Sequence, residues 1–167
     1  DQEFFWNNPS ILTGMIACVQ PEKCGIWSYP YALPCEARMQ PIKEYFKEHE
    51  CETYLDGEWT AFNMVSSMLG VLYLSGHIEE ADERNRTLIR EAIAVYKQKR
   101  EFLTHAYPVY PSGFFRIFEE GMYAFGLTNG KKLLLSVWKI GGNKNTVSFS
   151  LKNYLHGQLK GKLLYPI

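Results

Sequence analysis

Two periodicities divide the chain near residue 107. Before it, apolar positions recur every three to four residues in three stretches, and two short apolar runs separate them. NNPSILTGMIACVQ predicts a helix, with Asn8 as N-cap and Pro9 at the first helical position, where a missing N–H costs nothing. CGIWSYP reads as a short strand that stops at Pro30. In DGEWTAFNMVSSMLG, residues Trp59, Phe62, Val65, Met68 and Leu69 share one helical face, and Gly70 suits the C-terminal cap. VLYLSG, ended by Ser75 and Gly76, is the pattern of a strand buried on both faces. ADERNRTLIREAIAVYKQKREFL carries an apolar stripe of Leu88, Ile89, Ala92, Ile93 and Tyr96. Asp82 is its N-cap, and Lys97, Lys99 and Arg100 favour the C-terminal end of the dipole. Residues 31–56 read as irregular and charged, with a short helix in PIKEYFKEH.

YPVYPSG reads as a turn-rich linker, and beyond it the period becomes two. MYAFGLT and KKLLLSVWKI flank Asn129-Gly130, a type I′ hairpin signal. NTVSFSL alternates, with Val147, Phe149 and Leu151 on one face and Thr146, Ser148 and Ser150 on the other; QLKGKLLYPI is compatible with one more strand. Gly141-Gly142 reads as a turn, not a phosphate loop.

Alternating helices and short buried strands imply βα units around a parallel sheet, and alternating strands imply an antiparallel one. The expected fold class is therefore α/β plus all-β. Two parallel strands are too few for a closed or doubly wound sheet, so residues 1–106 are expected to belong to a larger one. Residues 107–167 are expected to form an antiparallel β-domain, incomplete as a sandwich.

Composition narrows the chemistry. Of 167 residues, 18 are basic and 18 acidic, without a long block of either sign. A neutral chain argues against nucleic acid or an anionic membrane as main partner, since both need concentrated basic surface. No apolar run approaches the ~18 residues that cross a bilayer. Aromatics make up 15% of the chain, a share that suits sugar binding and suits a Tyr-rich core or an oligomer interface better. Cys18, Cys24, Cys35 and Cys51 match no zinc pattern. One or two disulfides stay open, but scattered thiols in a mixed α/β chain favour a reducing compartment, so a cytoplasmic location is expected. Glu79, Glu80, Asp82 and Glu83 lack the spacing of a Ca²⁺ loop and read as the negative start of a helix. Neither a metal nor a cofactor is expected.

The ordered set DQ, NNPSILTG, PEKCGIWSYP, EWTAFNMVSSMLGVLYLSGHI and REAIAVYKQKR resembles the carboxy-terminal part of family 36 glycoside hydrolases, the α-galactosidases or melibiases. The likeness covers residues 1 to about 105 and is looser beyond, where LLLSVWKIGG resembles the β-sandwich appended to these enzymes. It implies the last units of a (β/α)8 barrel followed by a partial antiparallel sandwich, with CGIWSYP as seventh strand and VLYLSG as eighth. Its open edges would be covered by the upstream part of the barrel or by another copy of the chain. The implied substrate is a terminal α-galactoside of an oligosaccharide. Related glycosidase or transglycosidase chemistry on another α-linked sugar, and a non-catalytic sugar-binding or partner-associating domain, are the alternatives.

By this resemblance Asp1, followed by Gln2, stands where the family keeps its acid/base aspartate, at the tip of the sixth strand. Retaining glycosidases need a second carboxylate ~5 Å away as nucleophile. The family takes it from the fourth strand, to which no part of this chain corresponds, so the chain alone is expected to be inactive. Trp6, Trp27 and His77 are candidates for contacting the sugar. Trp27 in a barrel strand reads more simply as core, and a capping or loop hydrogen bond is the simpler account of His77.

Overall fold

The computed structural model describes residues 9–28, 30, 57–76, 78–114 and 120–167. Helix α1 (Pro9–Cys18) leads through a single 3-10 turn (Pro21–Lys23) into β1 (Gly25–Ser28). Helix α2 (Gly57–Ser67) precedes β2 (Val71–Leu74), and α3 (Glu83–Leu103) follows a second 3-10 turn (Ile78–Glu80). Three further strands complete the order: β3 (Tyr107–Val109), β4 (Gly121–Thr128) and β5 (Leu133–Ile140).

β1 and β2 pair in parallel, with Gly25 opposite Val71 and Trp27 opposite Tyr73. The second sheet is antiparallel in the order β3-β4-β5, with Val109 opposite Gly126 and Tyr123 opposite Trp138. One cluster joins the two sheets. Leu12 and Ile16 of α1, Ile26 of β1, Leu69, and Leu103 at the end of α3 pack with Phe125 and Leu127 of β4 and Trp138 of β5. The Trp138 indole N–H donates to Ser66 Oγ (3.2 Å), which pins β5 to α2. A second cluster unites Met64 of α2 with Ile89 and Ala92 of α3, closed by Tyr165 from the C-terminal segment.

α1 begins on Pro9 as expected, and α3 matches its reading closely. The Asp82 carboxylate accepts from the Asn85 amide (2.8 Å), satisfying one of the donors that a helix start leaves open. Ile89 and Ala92 are its buried stripe.

α2 departs from the expected stripe. Trp59, Phe62, Val65 and Met68 are only partly buried, whereas Thr60, Asn63, Met64, Ser66 and Ser67 are fully enclosed. Most of the polar groups tolerate this because they are bonded: Ser66 and Ser67 hydroxyls donate to the carbonyls of Phe62 and Asn63, four residues back (2.9 and 2.6 Å), and Asn63 Nδ2 donates to the Trp59 carbonyl (2.9 Å), while Asn63 Oδ1 has no partner among the described residues. Small residues let the helix sit close to its neighbours on nearly every side.

Gly70 is not a left-handed cap; its positive-φ conformation is absent. It is there for close approach. A Cβ at this position would lie 2.4 Å from the Cys24 carbonyl oxygen, the acceptor of the Val71 amide that opens the β1–β2 ladder (2.8 Å). Gly70→Ala is therefore expected to cost about 1–3 kcal/mol by overpacking. Faster hydrogen exchange of the Val71 amide would report the displaced ladder, and unchanged exchange and stability would refute the account.

The strand in VLYLSG forms, but it is not buried on both faces: Tyr73 and Leu74 are exposed. Tyr73 lies on the face that the described helices leave uncovered, and Leu74, opposite buried Ser28, is exposed at the end of the strand. YPVYPSG is not only a linker, since its first residues form β3, on which Pro108 has no N–H to donate. The β4–β5 hairpin forms, but Thr128 pairs with Leu133, so the loop has four residues and is not a two-residue type I′ turn. Asn129 Oδ1 accepts from the amides of Lys131 and Lys132 (3.1 and 3.0 Å), closing the loop through a side chain. NTVSFSL and QLKGKLLYPI form no strand, and the turn at Gly141-Gly142 leads into no paired segment. Alternation alone does not supply the ladder partner that makes a strand.

Tyr110 ties α1 to the start of the second sheet, donating its hydroxyl to the Thr13 carbonyl (2.8 Å). Burial, then the nearby Cys18 thiolate, pushes its phenol from 10.0 up to about 12. Burial first, then Glu91, raises Tyr165 as well. A folded pKa above the unfolded one means that the unfolded chain loses the proton first, so stability falls as pH rises from the unfolded value toward the folded one. Unfolding free energy is expected to decline between about pH 10 and 12. Tyr110→Phe should reduce that slope and Tyr110→Phe/Tyr165→Phe flatten it further; an unaltered slope would rule these phenols out.

Asn8, the PIKEYFKEH helix, and Cys35 and Cys51 lie outside the described residues. Cys18 and Cys24 are free thiols, exposed and buried respectively, and burial raises the Cys24 pKa.

Candidate functional site

The most constructed part of the molecule is the parallel pair and the polar knot beyond its C-terminal end. β1 alternates strictly. Ile26 and Ser28 turn toward the helices and are buried, with Ser28 Oγ 3.7 Å from Met64 Sδ, while Gly25 and Trp27 turn to the opposite face. Tyr73 of β2 lies on that same open face by register. Trp27 is 52% exposed and Tyr73 is 47% exposed, with ring centroids 5.5 Å apart and planes 18° from parallel. The reading of Trp27 as core is thereby corrected. Core status needs cover on the residue's own face, and the described helices lie on the other one.

Gly25 completes the arrangement. A Cβ there would stand 3.1 Å from Tyr73 Cε2, so a side chain on β1 at this point would push the Tyr73 ring aside by a few tenths of an ångström.

Past the strand ends, Thr60 Oγ1 lies 2.7 Å from the Pro30 carbonyl oxygen and 2.6 Å from Asn85 Oδ1, and its single hydroxyl proton is donated to one of these acceptors at a time. Asn85 Nδ2 donates to Asp82 Oδ1 (3.0 Å). This buried chain fastens the exit of β1 to the starts of α2 and α3. The Ser75 amide also donates to the Ser28 carbonyl (2.9 Å), extending the ladder past β2.

Asp1, Trp6 and His77 lie outside the described residues, so of the candidates Trp27 alone is placed. Sequence reasoning missed Tyr73, Thr60 and Asn85. Tyr73 is hidden inside an apolar run, and its signal is the matching third position of the two strands. Thr60 and Asn85 are signalled by polar residues on otherwise buried faces of α2 and α3.

The acidic group near residue 80 behaves as a helix start: Asp82 caps α3, Glu83 pairs with Arg90, and the Glu79 carbonyl accepts from Arg86 (2.8 Å). Among the described residues no group of three His, Cys, Asp or Glu side chains is placed to hold a metal ion, and no helix is long and apolar enough to cross a membrane. A groove of about 810 Å³ lies between α2, α3, β5 and the C-terminal segment, but its walls (Met68, Val95, Leu134 and Leu159 among them) are mostly aliphatic and include neither Trp27 nor Tyr73. It has no carboxylate for hydrolytic chemistry.

Comparisons with protein-family models, curated proteins and solved structures give no match to this chain.

Proposed function

We propose that the chain is the C-terminal part of a retaining α-galactosidase-type glycoside hydrolase, acting on terminal α-galactosides of oligosaccharides without a cofactor. The observation that carries the reading is the parallel pairing of β1 with β2, with α2 between them in the chain. The resemblance assigns these two segments to neighbouring barrel strands. The antiparallel sheet that follows agrees with the appended β-domain in order.

In this reading Asp1 protonates the departing glycosidic oxygen while a carboxylate from elsewhere in the barrel attacks the anomeric carbon. Asp1 then takes a proton from the water that releases the sugar. Trp6, Trp27 and His77 contact the sugar. The nucleophile is supplied by the upstream part of the barrel, whose strands also pair with the open edges of β1 and β2. One carboxylate cannot perform double displacement, so the chain alone has no hydrolase activity.

The test is hydrolysis of melibiose and p-nitrophenyl α-galactoside by this chain, with and without the polypeptide encoded upstream of Asp1. Turnover is expected only when both parts are present. Turnover by the chain alone would refute the claim that the nucleophile lies elsewhere, and none from the joined parts would remove the hydrolase reading. The exposed Trp27 and Tyr73 rings favour one second reading, a non-catalytic module that binds sugar or a partner chain through the open sheet face.

A further inference from the structure

We propose that Trp27 and Tyr73 act together as a stacked aromatic platform, the Trp27 ring offering its outer face to the C–H face of a bound pyranose and the Tyr73 ring bracing it from behind, with Tyr73 a specificity-determining residue and Gly25 the residue beside its ring. The inference rests on the glycosidase reading for the class of ligand, and on the geometry for the residues.

Three observations support it. The rings occupy the same position in paired strands, the third of four residues, so both stand near the C-terminal ends of a parallel pair, where ligands of parallel α/β sheets collect. Their near-parallel stacking at 5.5 Å covers the inner face of each ring with the other, so each braces its partner and leaves an outer face open on two half-exposed residues, with little rotamer freedom left to lose. Gly25 leaves its strand bare beside the Tyr73 ring, where an added Cβ would stand 3.1 Å from Tyr73 Cε2 and press the ring outward. A pyranose carries a patch of axial C–H groups on one face and hydroxyls around its rim. An uncharged aromatic surface accepts the first and leaves the second to polar groups nearby. The Tyr73 hydroxyl adds one donor and acceptor at the edge of the platform.

Placement of the rings also separates this role from that of an ordinary buried core. If further strands close the sheet into a barrel, rings near its C-terminal end lie toward the open mouth. A complete cover over both rings would exclude the sugar, and that arrangement is one the experiment detects.

The experiment follows the Trp27 indole N–H by NMR in the ¹⁵N-labelled chain, identified by its loss in Trp27→Phe, during titration with melibiose and, as control, glycerol. Melibiose is expected to shift the Trp27 signal and glycerol to leave it in place. Tyr73→Ala should weaken binding roughly three- to tenfold, as expected for the loss of one aromatic contact. Tyr73→Phe should retain most of it, and Gly25→Ala should weaken it by displacing the ring. Spectra that stay dispersed establish that the variants are folded; if Tyr73→Ala is not, the Phe and Gly25 variants decide. A Trp27 signal unmoved by melibiose, or moved equally in Tyr73→Ala, overturns the platform.

The same variants in the joined protein distinguish the two levels of the argument. Activity on α-galactosides with an unchanged KM in Trp27→Ala and Tyr73→Ala would sink the platform and leave the hydrolase reading intact. A melibiose-dependent Trp27 shift without any hydrolysis by the joined protein would do the reverse.

Discussion

On the proposed reading, Asp1→Asn in the protein that also carries the nucleophile lowers kcat for melibiose by about 10²- to 10⁴-fold, the usual contribution of a positioned general acid/base. The chemistry makes the loss dependent on the leaving group. Melibiose departs as a sugar alkoxide and needs the proton; p-nitrophenolate departs without it. Formation of the galactosyl–enzyme from p-nitrophenyl α-galactoside is therefore largely spared, and its breakdown by water, which still needs a base, becomes rate-limiting. KM for this substrate should fall with kcat as the covalent species accumulates. Azide, which attacks without giving up a proton, should restore turnover and yield α-galactosyl azide. Equal losses on both substrates with no azide effect would mean that Asp1 has some other role. The pattern is informative because a merely misfolded variant would fail on both substrates.

The second large effect concerns folding. Phe125 is fully buried, meets the Tyr110 ring edge-on at 5.3 Å, and shares a cluster with α1, β1 and the end of α3. Phe125→Ala is expected to cost about 3–5 kcal/mol, the sum of lost transfer energy and the cavity left behind. Chemical unfolding followed by tryptophan fluorescence would measure it as a lower midpoint at constant slope. Leu135 on the neighbouring strand is 36% exposed, so Leu135→Ala is the matched control, expected to cost less. Because the cluster joins both sheets, the variant should still unfold in one transition. Two separate transitions, with the parallel part unaffected, would contradict the shared core.

Some of this architecture is legible in the sequence and some is not, for identifiable reasons. α3 is legible because its stripe, its Asp82 cap and its basic end all point the same way. The hairpin is legible because Asn129-Gly130 sits between two runs of period two, although the loop length is set by the Asn129 side chain and escapes the dipeptide rule. α2 misleads because its deepest face is Thr60, Asn63 and Ser67, whose polarity is compensated, apart from the Asn63 Oδ1, by bonds that no hydropathy pattern records. Residues 145–151 mislead in the opposite sense: they alternate well, yet a strand also needs a neighbour with free ladder groups. At the site, Trp27 is legible as an aromatic in a strand, but which of its two faces is covered depends on elements far away in the chain. Gly70 and Gly25 look alike as strand-flanking glycines, and they serve different ends, one for contact with a backbone and one for contact with a ring.

The common cluster of Ile26, Leu69, Phe125 and Trp138 has a consequence for how such a protein can diverge. A C-terminal sheet tethered only by a linker could be exchanged as a cassette or lost without harm to its neighbour. Here the sheet contributes its largest side chains to the same interior as the strands bearing the aromatic pair, and Trp138 reaches across to a serine of α2. A substitution in β4 that alters volume would demand a compensating one in α1 or β1. Grafting this sheet onto a different parallel unit should fail unless the receiving surface is recut to its shape. The two halves are bound to change together, as a lock and its housing would.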